Sequence, residues 1–321
     1  MITPHLTQTT SPHLSKTNTG LGNALFQIFS SYGLSKTYNH DLNLINLLKL
    51  LVVLKKMDLN HNETIYRNLA NSNFINSNTN NINVKQIREQ GNLHSSYDVN
   101  LINNIKNNNS NTNFYLIGYL QSHVYFDKYY SEINELLKPD EKSISIIKIK
   151  YSHLFNKENI NISCHIRNNW GCNIKYDENF LYFFDSLKFI FKNISNTNCI
   201  NINIFSDEIQ IIKNKIKNMN IVNKIKEQFT LNINFFYFEN NLDYIDLWCM
   251  SFCHHNILSN STLSWWGAYL NQNSNKIVTY PDDILRLVGG TIYNEKKQLE
   301  RRKEHYKENW IPINTTNVIH Q

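Results

Sequence analysis

The chain has 321 residues, a formal net charge of +6 and a sequence pI near 8.9. That length exceeds what one core usually organises and predicts two domains of roughly 100–200 residues each. The positive residues are spread along the chain, which argues against a nucleic-acid partner and makes an anionic small ligand the simpler use of the charge. The five cysteines, Cys164, Cys172, Cys199, Cys249 and Cys253, form no C-x-x-C pair and no zinc-finger spacing. Their odd number also argues against a disulfide framework, so a reducing compartment is expected.

The opening MITPHLTQTTSPHLSKTNTG carries no apolar signal-like core, and the longest apolar run, Leu44–Leu54, falls short of the roughly 18 residues a bilayer span needs. A soluble, cytoplasmic protein without stable membrane insertion is the expectation. Asparagine occurs 54 times, and the dense runs 71–83 and 103–113 read as polar, turn-prone loops.

In chain order, a disordered tail over residues 1–17 is expected first. Gly20-Leu21-Gly22-Asn23 then reads as a tight turn opening a helix over Ala24–Lys36, whose apolar positions Leu25, Ile28, Phe29 and Tyr32 recur at helical spacing. The stretch FYLIGYLQSHVYF, Phe114–Phe126, starts as a strand, and a helix over Tyr129–Leu137 stops at Pro139. The Pro139-Asp-Glu-Lys142 segment marks the junction of the halves.

Beyond it, strands at Asn161–Arg167, Cys199–Ser206, Leu231–Glu239, His255–Asn260 and Lys276–Pro281 alternate with helices at Glu178–Ile194, Glu208–Met219, Asp243–Cys253 and Leu263–Asn271. Strands joined by crossover helices predict an α/β domain with a doubly wound parallel sheet. The chain accordingly divides as 1–17, 18–148, 149–288 and a charged helix with tail over 289–321.

In such a sheet, ligands sit beyond the carboxyl ends of the strands. That rule selects His165 and Arg167, Ser206 and Asp207, Glu239, and Asn260-Ser261-Thr262-Leu263-Ser264. The last segment stands between a strand end and a helix start, where unpaired N–H groups and the helix dipole favour an anion and the hydroxyls of Ser261, Thr262 or Ser264 add donors. One of those hydroxyls capping the helix is the equal alternative. Arg167, a permanent cation at the end of a buried strand, calls for an anion and has the fork geometry of a diphosphate binder; a salt bridge to Asp207 is the other use. His165 is a hydrogen-bonding candidate for a base or ribose, or else a satisfied core histidine. Asp207 accepts from a nucleoside or caps the next helix. No D-x-D triplet occurs in the chain, so no carboxylate pair of that kind is available for Mg²⁺ or Mn²⁺. No metal site and no cofactor are expected.

Taken in order, TGLGNALFQIF, LIGYLQSHVYF, SCHIRNNW, IFSDE and DLWCMSFCHHNILSNSTLSWWGAYLN resemble the successive motifs of the α-1,2-fucosyltransferases, over residues 19 to about 282. The resemblance implies a GT-B-like enzyme of two Rossmann-like domains: an acceptor-side domain over 18–148 and a GDP-fucose-binding domain over 149–288. It further implies transfer of L-fucose from GDP-fucose to the 2-hydroxyl of a galactose-like glycan acceptor with inversion and without a metal. By the same resemblance Arg167 meets the β-phosphate, His165 and Asp207 read guanosine, Asn260, Ser261, Thr262 and Ser264 complete the diphosphate site, and Gly22 and Asn23 approach the donor. Asp177 and Glu178 follow the H-x-R strand as candidates for the base. Where the family carries a second Arg followed by Gly-Asp-Tyr, this chain has Asn168, Asn169 and Trp170, and a GDP-sugar- or glycan-binding protein without turnover is the alternative reading.

Overall fold

The computed structural model describes residues 1–6, 20–47, 64–73, 83–89, 97–107, 112–167, 181–194, 199–218, 229, 232–282 and 295–313. The chain forms two compact units, one of Met1–Pro139 with Tyr293–Glu308, the other of Asp140–Ile292 with Asn309–Gln321.

The first unit carries a parallel three-stranded sheet of β1 (Ile2–Pro4), β2 (Asn83–Arg88) and β3 (Thr112–Ile117), in the order β1-β3-β2. Ile2 pairs with Phe114, and both side chains are fully buried. The expectation of a disordered start is therefore corrected: an apolar dipeptide at the very beginning supplies an edge strand, while residues 7–19 lie outside the described part. Helix α1 (Leu21–Tyr38) covers this sheet and ends at Asn39, whose left-handed φ of 55° is the usual way for a chain to leave a helix. It begins three residues earlier than the spacing of its apolar residues predicts, so Gly22 and Asn23 belong to its first turn. Gly33 lets α1 approach the chain closely: a Cβ there would stand 2.1 Å from the Tyr125 carbonyl oxygen.

The asparagine-rich loops need a second correction. Helix α2 (Val99–Lys106) takes in Asn103 and Asn104, with Asp98 as N-cap accepting from the Leu101 N–H, and β3 contains the buried Asn113. Helix α3 (Tyr130–Leu137) follows, close to where its periodicity places it.

The second unit opens with α4 (Glu141–Lys150), started by Asp140, whose carboxylate accepts from the Ser143 N–H at 2.7 Å. A six-stranded, wholly parallel sheet then forms from β4 (Ile160–Ile166), β5 (Cys199–Ser206), β6 (Asn232–Tyr237), β7 (His255–Ile257), β8 (Val278–Pro281) and β9 (Ile311–Ile313). Its order is β6-β5-β4-β7-β8-β9, the 3-2-1-4-5-6 arrangement of a Rossmann sheet. The α/β class expected from the sequence, with a parallel sheet in each half, is the one observed. The sheet has one strand more than expected, because β9 is three residues long with Pro312 in it, tolerated at an edge.

Connecting helices are α5 (Leu181–Asn193), α6 (Ile209–Asn218), α7 (Asp243–Ser251) and α8 (Thr262–Leu270). Strand alternation assigns the two faces. Ile162, Cys164 and Ile166 of β4 pack with Ile200, Ile202 and Ile204 of β5 against Tyr182, Phe183, Leu187 and Ile190 of α5 and Ile212 of α6. The opposite face carries Asn161, Ser163 and His165, with Asn201 and Asn203 beside them, all buried. There Asn161 Oδ1 accepts from Asn201 Nδ2 at 3.1 Å and Asn203 Nδ2 at 3.4 Å, and Asn256 Nδ2 donates to Ser163 Oγ at 2.7 Å and to the Met250 carbonyl of α7 at 2.9 Å. These asparagines are structural; only hydrogen bonding makes their burial tolerable.

The charged helix α9 (Glu295–His305) belongs to the first unit and β9 to the second, so the described part of 289–321 is divided between the two units.

Candidate functional site

In this strand order the chain reverses direction of growth between β4 and β7. That switch point leaves a crevice at the carboxyl ends of the two strands. Register pairs Cys164 with Ile257, so His165 and Arg167 run out of β4 alongside the segment Leu258–Ser261 that runs out of β7. On the other flank Ile166 pairs with Ser206, which sets Asp207 beside Arg167 at the end of β5.

His165 is buried, and its Nδ1 shares a 2.6 Å hydrogen bond with Ser259 Oγ. Burial, and secondarily the neighbouring Arg167 guanidinium, pushes its imidazole down to about 3, so it is neutral at physiological pH. Arg167 is half-buried and directs Nη1 to Ser261 Oγ at a long 3.4 Å. Ser261 is the N-cap residue of α8, yet its side chain makes no capping hydrogen bond. Its hydroxyl faces the guanidinium instead. Ser264, fully buried, donates its hydroxyl to the Ser261 carbonyl at 2.9 Å, which stiffens the first turn of α8 and leaves that hydroxyl no proton for a ligand. Asn260 and Thr262 are half-buried on the same segment.

Asp207 is exposed, and its neighbour Ser206 accepts from the Glu208 N–H at 3.1 Å, so the start of α6 draws on the serine hydroxyl. Trp265 and Trp266 are both buried; Trp265 stacks on Tyr269 at 4.9 Å and tilts against Trp310 at 5.5 Å. The indoles anchor α8 in the core while its hydroxyl-bearing first turn faces the strand ends. Among the described residues no three His, Cys, Asp or Glu side chains gather as a metal-ligand set. No described helix is long and apolar enough to cross a membrane.

Thus His165, Arg167, Asp207, Asn260, Ser261, Thr262 and Ser264 all lie at one edge of the second unit's sheet. Gly22 and Asn23 stand in the first unit, at the start of α1. Asp177 and Glu178, like Asn168 and Trp170, lie outside the described residues. Chemically, the edge combines a cation, a helix N-terminus and hydroxyl groups, the ingredients of an anion site.

No family model matches the chain. It is 28% identical over 166 residues to the alpha-1,2-colitosyltransferase of Escherichia coli, a match covering 48% of this chain and 50% of that protein. It is 35% identical over 81 residues to the O-antigen biosynthesis glycosyltransferase WbnK of Escherichia coli, covering 24% of this chain and 22% of that protein. The chain is similar to curated bacterial glycosyltransferases. The matches span half or less of the length of these curated relatives. Among solved structures, a mutant of Arabidopsis thaliana FUT1 in complex with GDP is similar with a TM-score of 0.47 and 9% identity, over 87% of this chain and 69% of that one.

Two residues at the crevice escaped the strand-end rule. Ser259 holds His165 through its hydroxyl, and Tyr182, at the start of α5, donates its hydroxyl to the Leu258 carbonyl at 2.7 Å and pins the segment from behind. Ser259 was discoverable as a strand-end hydroxyl; Tyr182 carries no local signal.

The neutral His165 has a measurable consequence. An unfolded histidine titrates near 6.5 and this one near 3, so between those values the unfolded state binds the extra proton. The stabilisation is complete above pH 6.5 and is lost as the pH falls toward 3. Urea titrations of His165→Asn, which keeps a polar atom near Nδ1 but does not titrate, should show a shallower loss of stability between pH 6.5 and 4 than the unsubstituted protein. The expected difference is on the order of a few kcal/mol. Parallel curves would mean that His165 is solvated or charged in the folded protein.

Proposed function

We propose that the protein is an inverting glycosyltransferase that moves L-fucose from GDP-fucose to the 2-hydroxyl of a galactose-like acceptor in an α-1,2 linkage, without a metal. The observation that carries this reading is the convergence of Arg167, Ser261 and the α8 N-terminus at the switch point of a parallel sheet. The names of the two curated relatives support glycosyl transfer, and one of them supports the 1,2 linkage.

In this mechanism fucose departs from GDP through an oxocarbenium-like transition state while the acceptor hydroxyl attacks the opposite face. Arg167 stabilises the negative charge growing on the diphosphate, and the α8 N-terminus adds oriented N–H dipoles to it. His165, neutral and fixed by Ser259, offers a hydrogen bond to the nucleoside, and Asp207 accepts from it. Asp177 and Glu178 are the carboxylates proposed to take the acceptor proton.

A mass-spectrometric transfer assay with GDP-fucose and lactose, run with and without EDTA, tests the reading. Fucosyl-lactose should form at equal rates in both. Strong metal dependence would reject the mechanism, and tight GDP binding with no transfer to any acceptor would select a GDP-sugar-binding protein instead.

A further inference from the structure

His165 and Ser259 stand on two fastened pieces of the second unit. His165 belongs to β4, a strand paired on both sides. Ser259 follows β7 on a segment held at three points: the Leu258 N–H donates to the Thr279 carbonyl of β8 at 2.9 Å, the Tyr182 hydroxyl to the Leu258 carbonyl at 2.7 Å, and the Ser261 N–H to the Ser259 carbonyl at 2.8 Å. The 2.6 Å contact between His165 Nδ1 and Ser259 Oγ is thus set by two fixed stretches of backbone.

Which of the two atoms carries the proton follows from counting. Ser259 is 2% exposed, and its hydroxyl has no partner among the described residues except this ring nitrogen. If Nδ1–H donated to the hydroxyl oxygen, the serine proton would be left in the interior without an acceptor, the costly arrangement for a buried polar group. If Ser259 donates to a bare Nδ1, both atoms are satisfied and the ring proton sits on Nε2. Burial and the neighbouring Arg167 guanidinium keep the ring from taking a second proton at physiological pH. Nε2 itself has no partner among the described residues, and it is not one of the unpartnered atoms that are shut off from solvent. A protonated, neutral Nε2 is a donor only; it suits a carbonyl oxygen or a bare ring nitrogen and not an amino group.

We propose that Ser259 is a positioning residue whose hydroxyl donates to His165 Nδ1, holds the imidazole in its Nε2–H form, and so presents a hydrogen-bond donor to an acceptor atom of the nucleoside. The inference rests on the nucleotide-sugar reading above and adds to it a residue and the direction of two hydrogen bonds. Ser259 need not touch the ligand.

Nitrogen-15 NMR of the full-length, ligand-free protein at pH 7 tests the first half, because a bare ring nitrogen and an N–H nitrogen resonate far apart. His165→Gln assigns the signals of this ring among those of the 12 histidines. Nδ1 should be bare and Nε2 protonated; the opposite pattern would overturn the inference with no variant of Ser259 needed. In Ser259→Ala the two forms should mix, and Ser259→Thr, which keeps the hydroxyl, should restore the single form. Calorimetric titration with GDP tests the second half. Affinity should fall about tenfold in Ser259→Ala, the loss of one oriented hydrogen bond, and recover to within about threefold in Ser259→Thr. A merely structural serine predicts a lower melting temperature for Ser259→Ala with the ring tautomer and the GDP affinity unchanged, and that result would overturn the inference. If the unsubstituted protein bound no GDP, the nucleotide-sugar reading would fall and the nucleoside contact with it, whereas the NMR pattern would still decide the direction of the Ser259–His165 bond.

Discussion

Replacing Arg167 with alanine is expected to lower turnover of GDP-fucose by about 10²–10³, corresponding to roughly 2.7–4 kcal/mol of transition-state stabilisation. In the proposed mechanism this effect follows from the place of Arg167 at the end of β4, beside the Ser261 hydroxyl and the start of α8, where its guanidinium would meet the charge that develops on the departing diphosphate. Lysine should restore only part of the loss, because an ammonium cannot engage two oxygens in one plane. Initial rates at saturating acceptor distinguish the cases: a fall in kcat and kcat/KM together marks an interaction made in the transition state, whereas a rise in KM alone marks simple binding. The folded state should be little affected, since Arg167 is half-buried and borders the crevice.

The largest effect on stability is expected at Asn161. Its side chain is fully buried, accepts from Asn201 and Asn203 and donates to the His153 carbonyl at 3.2 Å. Asn161→Ala removes the acceptor of the buried Asn201 amide, while the Asn203 amide keeps the Asn201 carbonyl at 3.4 Å. At about 1–3 kcal/mol for one unsatisfied buried group, the second unit should lose about 1–3 kcal/mol. For a unit of this size that is a fall of about 2–12 °C in its melting temperature. Asn218→Ala, at the exposed end of α6, should stay within about 0.5 kcal/mol of the unsubstituted protein. Equal melting temperatures for the two variants would show that the buried asparagine row contributes nothing.

That contrast also explains what could be read from the chain and what could not. The second unit was legible because isoleucine and phenylalanine mark its strands and helices with clear periodicity; Cys199–Ser206 begins and ends where the sequence places it. The strand-end rule then selected His165, Arg167 and the 260–264 segment without any contact being known. Elements carrying little periodic signal were missed: β1 and β9 are three residues each, β2 starts from an asparagine, and α4 has isoleucines on exposed and buried faces alike. Composition misled most where it treated all asparagines as equivalent. At alternate positions of β4 and β5 they face inward and bond to one another, a fact set by sheet register and invisible in a count. Ser259 and Tyr182 share that cause, since each meets a residue from another element.

Calorimetric titration of GDP into the full chain in the presence of EDTA tests the central claim most directly. One GDP should bind per chain, with affinity at least tenfold weaker in Arg167→Ala and unchanged in Lys217→Ala, an exposed lysine on α6. No binding to the unsubstituted protein, or equal affinity in it and in Arg167→Ala, would contradict the assignment of the β4–β7 crevice to a nucleoside diphosphate.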